Sequence, residues 1–298
     1  MNCLFCNSSN LSKSYLPDTK FNNKVFTYKK CKDCRLIFID PIPNDDDLIK
    51  LYPTSYQNGI ENTVLDNPYH KLIGLRYSYG YQFDLLKSVN FKGTIIDFGC
   101  GNANFIVNAK HYGFNCEGVE YNAEHVVILK NEIPSSNFYT VDDFFNSNQK
   151  FDLIRLSNVL EHFTNPKEIV NKIIQFLKPG GYLLVEGPVE TNFNLAKFIR
   201  SLYFKSRKTV QSNYIAAHNP THIIFTNRKN QLQFFNDFLL TRIHYKISEA
   251  EWPFPSSIKS AKGFIPKLNA IIAKVSMVVS KLNKNWGNTF IYLGQKIE

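Results

Sequence analysis

The chain has 298 residues, 44% hydrophobic and 20% charged, a globular mixture long enough for one large domain or two, which excludes fibrous and disordered classes. There is no run of eighteen apolar residues, and the first ten residues lack the basic-then-apolar order of a secretory leader, so a cytoplasmic protein is expected. The net charge of +10 is unevenly placed: 11 basic against 9 acidic residues over 1–88, 8 against 11 over 89–188, and 16 against 5 over 189–298, so an anionic partner is expected for the last third alone.

The first 40 residues are short β-like pieces, Val25–Tyr28 and Leu36–Ile39, each beside a Cys-x-x-Cys pair, and Pro41 and Pro43 close that module. Asp45, Asp46 and Asp47 ahead of Leu48, Ile49 and Leu51 mark a helix start. Leu72, Leu75, Tyr79, Phe83 and Leu86 recur at helical spacing and predict a helix over 68–89. From residue 94 short β runs alternate with helical stretches: strands over 94–98, 115–120, 138–141, 151–157 and 182–186, helices near 103–113, 122–132 and 167–177, with Lys178-Pro179-Gly180-Gly181 as the turn into the last strand. That alternation predicts an α/β fold with a doubly wound, Rossmann-like parallel sheet. Beyond it come a basic helix near 190–204, a helix at 227–238, strands near 240–248 and 289–296, and between these an amphipathic helix over 265–282. Three regions are expected: a zinc-binding module of four cysteines at 1–43, a helical linker or lid at 44–92, and the α/β domain at 93–298 with an insertion at about 249–288.

Cys3, Cys6, Cys31 and Cys34 form two Cys-x-x-Cys pairs, each able to deliver two sulfurs from one tight turn, as tetrahedral zinc requires. Four cysteine ligands leave no open position, so such a zinc is structural. Asn7 and Arg35 stand where ribbon knuckles usually have glycine; Asn tolerates the left-handed conformation and Arg fits it less well. Cys100 and Cys116 are expected as buried thiols in the sheet domain. The strand Ile95–Phe98 runs into Gly99-Cys100-Gly101, a turn where the backbone can approach a ligand at the carboxyl end of the sheet. A dinucleotide fingerprint wants a third glycine where Asn104 stands. Glu120 ends the second strand, where a carboxylate can accept from both ribose hydroxyls, although a solvated strand end has the same spelling. Asp142 and Asp143 follow the third strand and read equally as a helix N-terminal cap.

In chain order Asp97-x-Gly99-x-Gly101, Glu120, Asp142-Asp143, Phe151-Asp152-Leu153-Ile154 leading to Asn158-Val159-Leu160-Glu161-His162, and Leu177 to Leu183 resemble the successive motifs of class I S-adenosylmethionine-dependent methyltransferases, over roughly residues 70–298. With the cysteine module in front, the Leu51–Tyr56 segment, and the run from His218 through Pro220, His222 and Ile223 to Phe225, the layout is similar to a bacterial subfamily found among sugar and surface-polysaccharide methyltransferases. The resemblance implies that Gly99 and Gly101 abut the methionine portion of the cofactor with Asp97 supporting the turn. It assigns Glu120 to the ribose, Asp142 or Asp143 to the adenine amino group, and Phe144 to the ring. It also implies a sugar-hydroxyl acceptor on a nucleotide-linked or lipid-linked glycan.

Methyl transfer to a hydroxyl needs a base, for which His222 comes first, then His162, with His218 a third choice, each against the ordinary alternative of a hydrogen-bonded structural histidine. Glu161-His162 resembles the end of a Glu-x-x-Glu-His metal element of quinone-biosynthesis methyltransferases, but Asn158 stands at its first position, which disfavours a catalytic divalent metal. Lys197, Arg200, Lys205, Arg207 and Lys208 fall within twelve residues without an acid, which suits a diphosphate on the acceptor or an anionic membrane face, and equally a solvated helix. Nucleic acid is the lesser expectation: the Asn-Pro-Pro-Tyr-type element of amino-directed DNA enzymes is replaced by Ser157-Asn158-Val159-Leu160. An RNA methyltransferase, or a non-catalytic module that keeps the cofactor pocket for structure, are the competing readings.

Overall fold

The computed structural model describes residues 1–53, 79–195, 198–199, 202, 215–216, 219–249 and 263–297. Leu72, Leu75, Tyr56, His218 and the basic cluster Lys197, Arg200, Lys205, Arg207 and Lys208 lie outside the described residues.

Two sheets organise the molecule. The larger has the order β12 (Leu240–Ser248), β13 (Thr289–Lys296), β9 (Leu177–Pro188), β8 (Phe151–Ser157), β5 (Thr94–Phe98), β6 (Asn115–Glu120), β7 (Phe138–Thr140). Strands β5 through β9 pair in parallel, while β13 is antiparallel to both β9 and β12. The chain winds outward from β5 through β6 to β7, then returns to the other side of β5 with β8 and β9. The reversal opens a crevice at the carboxyl ends of β5 and β8, where sheets of this kind receive ligands. Parallel strands covered on both faces should read as largely apolar runs, and β5 and β8 do so in their interiors apart from Asp97, Asp152 and Arg155. Helices 104–111, 123–132 and 166–174 pack against this sheet; the last starts on Pro166, whose missing N–H costs nothing in a first turn.

The smaller sheet contains β1 (Leu11–Lys13), β2 (Asp18–Phe21), β3 (Lys24–Cys31) and β4 (Ile37–Asp40), and two strands from far along the chain complete it: β10 (Ile215–Ala216) beside β2 and β11 (Ile224–Phe225) beside β4. Its apolar face is continuous with the core of the larger sheet: Phe5 stacks on Phe234 with ring centres 4.3 Å apart, and Phe26, Phe38 and Ile224 join Leu156, Val185 and Tyr292 in one buried cluster. Because β11 follows His222 directly, the small sheet fixes where that histidine stands.

The Gly180-Gly181 stretch departs from the expected turn. β9 already begins at Leu177, and the ladder steps from Phe151↔Leu177 to Leu153↔Tyr182, so residues 178–181 form an irregularity within the strand. Gly180 takes a positive φ of 69° there, and Lys178 is tied to Asp152 at 2.9 Å. Cys100 and Cys116 are buried, as expected. No helix among the described residues is long and apolar enough to cross a membrane.

Candidate functional site

The glycine turn leaves β5 with φ of 82° at Gly99 and 50° at Gly101. A Cβ on Gly99 would stand 2.5 Å from Val159, so both the backbone conformation and the space demand glycine. Glu120, buried at the end of β6, accepts from the Gly101 N–H at 2.9 Å and from the Asn122 N–H at 3.3 Å. Burial raises its carboxyl above the usual range, and those backbone donors pull it back. A buried acceptor at the lip of a glycine turn, with the Cβ space of Gly99 filled by the neighbouring loop, suits a ligand that offers hydroxyl donors.

Asp97 does not touch the turn by hydrogen bond. It lies beside Arg155 in the β5–β8 register and pairs with that guanidinium at 2.6 Å; its second oxygen, Oδ2, is buried and has no hydrogen-bond partner among the described residues. Arg155 also donates to Gln82 at 2.8 Å, Gln82 donates to Glu186, and the guanidinium lies 3.9 Å from the Phe105 ring centre. Burial pushes the Asp97 carboxyl up and the Arg155 charge draws it down. Arg155, Gln82 and Glu186 were not foreseen as site residues. The signal was present in Arg155, a charge set between the apolar Ile154 and Leu156.

Of the acids after β7, Asp143 is committed to a capping box: the Asp143 N–H donates to the Thr140 hydroxyl at 3.1 Å and its carboxylate accepts from the Thr140 N–H at 3.4 Å. Asp142 is exposed and carries no such bond, which leaves it the freer of the two for a ligand. Phe144 corrects the expectation of a ring that covers adenine. It is 1% exposed and packed on Phe98 and Phe176, with ring centres 5.5 and 4.4 Å away, because the short helix 141–145 turns it into the core.

The loop after β8 carries Val159 against Gly99 and, three residues on, His162 against His222, with ring centres 5.0 Å apart. The backbone bond from Ile223 N–H to the Glu161 carbonyl, 2.8 Å, holds the two segments together. The His162 Nδ1–H donates to the Thr221 carbonyl at 2.8 Å, with the Tyr52 hydroxyl 2.8 Å from the same nitrogen, so Nε2 keeps its lone pair. His222 is hydrogen-bonded through Nδ1 to Glu190, whose Oε2 is buried with no hydrogen-bond partner among the described residues. Glu161 completes the group, its carboxylate against Gly187. Burial drives His162 down to about 3 and Glu161 up to about 7. Burial also works against charge on His222, but Glu190, with help from Glu161, overrides it and lifts the imidazole to about 9. Ligand atoms of Glu161, His162 and His222 lie within 4.8 Å of one another, close enough to share a cation. Sequence reasoning missed Glu190 and Tyr52 as partners of these histidines, since no local spacing links them.

The cysteines converge. Cys3 and Cys34 sulfurs are 3.5 Å apart, Cys6 and Cys31 3.6 Å, and all four lie within 4.8 Å of one another. Ligands about 2.3 Å from a tetrahedral zinc stand roughly 3.8 Å apart, so the cluster has the right size. Asn7 (φ 57°) and Arg35 (φ 66°) both take the left-handed conformation, and each donates its N–H to the carbonyl of the first cysteine of its knuckle, at 2.9 and 3.1 Å. The hydrogen bond between Cys3 and Cys34 pushes Cys3 down to about 5 and Cys34 up.

A family model described as "Methyltransferase domain" matches residues 80–238. The chain is 27% identical over 131 residues to a ubiquinone biosynthesis O-methyltransferase of Glaesserella parasuis serovar 5 (strain SH0165), covering 40% of this chain and 53% of that one. It is 25% identical over 125 residues to the protein of that name from Serratia proteamaculans (strain 568), covering 39% and 50%. The chain thus spans about half the length of the curated relatives it matches. Among solved structures it is similar to a SAM-dependent methyltransferase of Archaeoglobus fulgidus, at 17% identity and a TM-score of 0.46, covering 81% of this chain and 100% of that one. A family match that runs over more than half of the 298 residues decides the assignment: the chain belongs to the methyltransferase-domain family.

Proposed function

We propose that this protein methylates a hydroxyl oxygen of a small polar acceptor, a sugar hydroxyl on a nucleotide-linked or lipid-linked glycan, with His222 as the base. The observation that carries the reading is the Glu190–His222 pair beside the loop that packs on Gly99: Glu190 holds the Nδ1 proton and leaves Nε2 to receive one. S-adenosylmethionine, when bound, supplies a sulfonium methyl group open to in-line attack. Gly99, Gly101 and Glu120 would hold it, with Asp142 toward the adenine. His222 Nε2 would take the proton of the acceptor hydroxyl as that oxygen is methylated. His162, held neutral by burial, orients the acceptor through Nε2. The names of the curated relatives favour a second acceptor class, a ring hydroxyl on a quinone precursor, which the same base would serve.

The test is formation of S-adenosylhomocysteine and methylated product from a panel of nucleotide sugars and phenolic acceptors. His222→Ala should lower kcat by about 10²–10⁴ while cofactor affinity stays as in the wild type. Unchanged turnover would remove His222 from the mechanism.

The four cysteines would hold a structural zinc that locks the small sheet in place. Metal analysis of the freshly purified protein should find one zinc per chain, and Cys3→Ser should lower the melting temperature more than it alters cofactor affinity. A metal-free, fully stable protein would refute the zinc centre.

A further inference from the structure

The helix Phe264–Ser280 sits the wrong way round for a helix that only covers a core. Its small residues Ala270, Ala273 and Ser276 face the body and are buried, whereas Phe264, Leu268, Ile271, Val275, Val278 and, one step past its end, Leu282 are exposed. Phe264 is 81%, Val278 63% and Leu282 82% open to solvent. Those six positions advance by four and three residues alternately, so on an α-helix they fall within an arc of roughly 80°. An unbroken outward apolar stripe of this length requires a covering surface.

Charge identifies the cover. Lys267 and Lys281 stand two heptads apart along one flank of the stripe, both exposed, and no Asp or Glu occurs from residue 252 to residue 297. A second copy of the helix laid against the stripe would bring lysine rows together with no carboxylate on either helix to answer them. An anionic lipid surface answers both features, since apolar side chains enter the headgroup boundary and the lysines meet lipid phosphates. Seventeen residues of helix reach about 25 Å, short of a span even if the helix stood upright. The neighbouring segment adds exposed Phe193, Ile199 and Leu202, and is fixed to the helix by the bond from Leu195 N–H to the Ser276 hydroxyl, 3.2 Å. We propose that the helix 264–280 is an interfacial membrane anchor that lies in the plane of an anionic bilayer surface and holds the protein there. The anchor is independent of which acceptor the active site takes.

Co-sedimentation of the full chain with phosphatidylcholine vesicles, with and without about one third phosphatidylglycerol, tests this. Binding is expected to the anionic vesicles, with loss at high salt. Lys267→Gln with Lys281→Gln should weaken it by roughly tenfold to thirtyfold. Ile271→Gln with Val278→Gln, which removes exposed apolar contacts without touching the buried side, should abolish it while cofactor affinity stays at the wild-type value. A wild-type protein that ignores anionic vesicles, variants that bind as the wild type does, or a solution dimer that Ile271→Gln with Val278→Gln dissolves would each overturn the proposal, the last in favour of a second copy.

Discussion

Two polar clusters sit at the carboxyl edge of the same sheet, and they are built on opposite plans. In the first, Asp97 and Arg155 are adjacent across β5 and β8, Gln82 bridges on to Glu186, and the guanidinium is packed over Phe105. Asp97 and Arg155 are buried, and a second, half-buried carboxylate, Glu186, stands one bridge away from the fixed cation. In the second, Glu161 and Glu190 flank His222, and His162 stands neutral beside it. Here the central cation is one that can lose its proton, and both histidines remain partly open. The contrast separates a cluster whose central cation keeps its charge from one whose central cation can titrate, although composition alone would give both the same label.

The comparison breaks most visibly at Arg155. Arg155→Met should cost about 3–5 kcal/mol of stability, since it leaves the Asp97 charge buried and alone. The double variant Asp97→Asn with Arg155→Met should recover most of that loss. Thermal or denaturant unfolding measures both, and an Arg155→Met protein as stable as the wild type would show that the pair carries no structural load.

Glu120 lies between the two plans, buried and, among the described residues, bonded to the backbone N–H groups of Gly101 and Asn122 at the glycine turn. Glu120→Ala should weaken S-adenosylmethionine binding by about 1.5–3 kcal/mol, read by calorimetry. Its effect on unfolding should be smaller than that of Arg155→Met. The reverse ranking would place Glu120 with the structural cluster.

Much of this was legible from pattern. The strands 94–98 and 151–157 stand out by their apolar residues and 115–120, 240–248 and 289–296 by their place between helical stretches, and the two cysteine knuckles announce themselves by spacing. What escaped was non-local. β10 and β11 are two residues each, too short to carry a periodicity, and they exist because the small sheet offers them edges at β2 and β4. Glu190 meets His222 across 32 residues that no local rule connects. Phe144 was misassigned because a capping box at Thr140 and Asp143 sets the rotation of its short helix and turns the ring inward.

The finest distinction is drawn at Glu190. If His222 is the base, it works only after losing its proton, and with the imidazole lifted to about 9 turnover should climb with pH from neutrality toward that value. The sign for stability is opposite. A histidine raised from 6.5 stabilises the fold fully below 6.5 and loses that contribution as pH rises through about 9, so the pH of best activity lies above that of best stability. Glu190→Gln keeps the size of the side chain and removes the charge that raises His222, so the rising limb of kcat should move to lower pH by about one unit or more, with a smaller maximum because the tautomer is held less firmly. Cofactor affinity, which the proposed function assigns to Gly99, Gly101 and Glu120, should not follow. A profile that stays in place on removal of Glu190 would mean that the titrating group is not His222, and Glu161, raised to about 7 by its burial, would then be the base to test by Glu161→Gln.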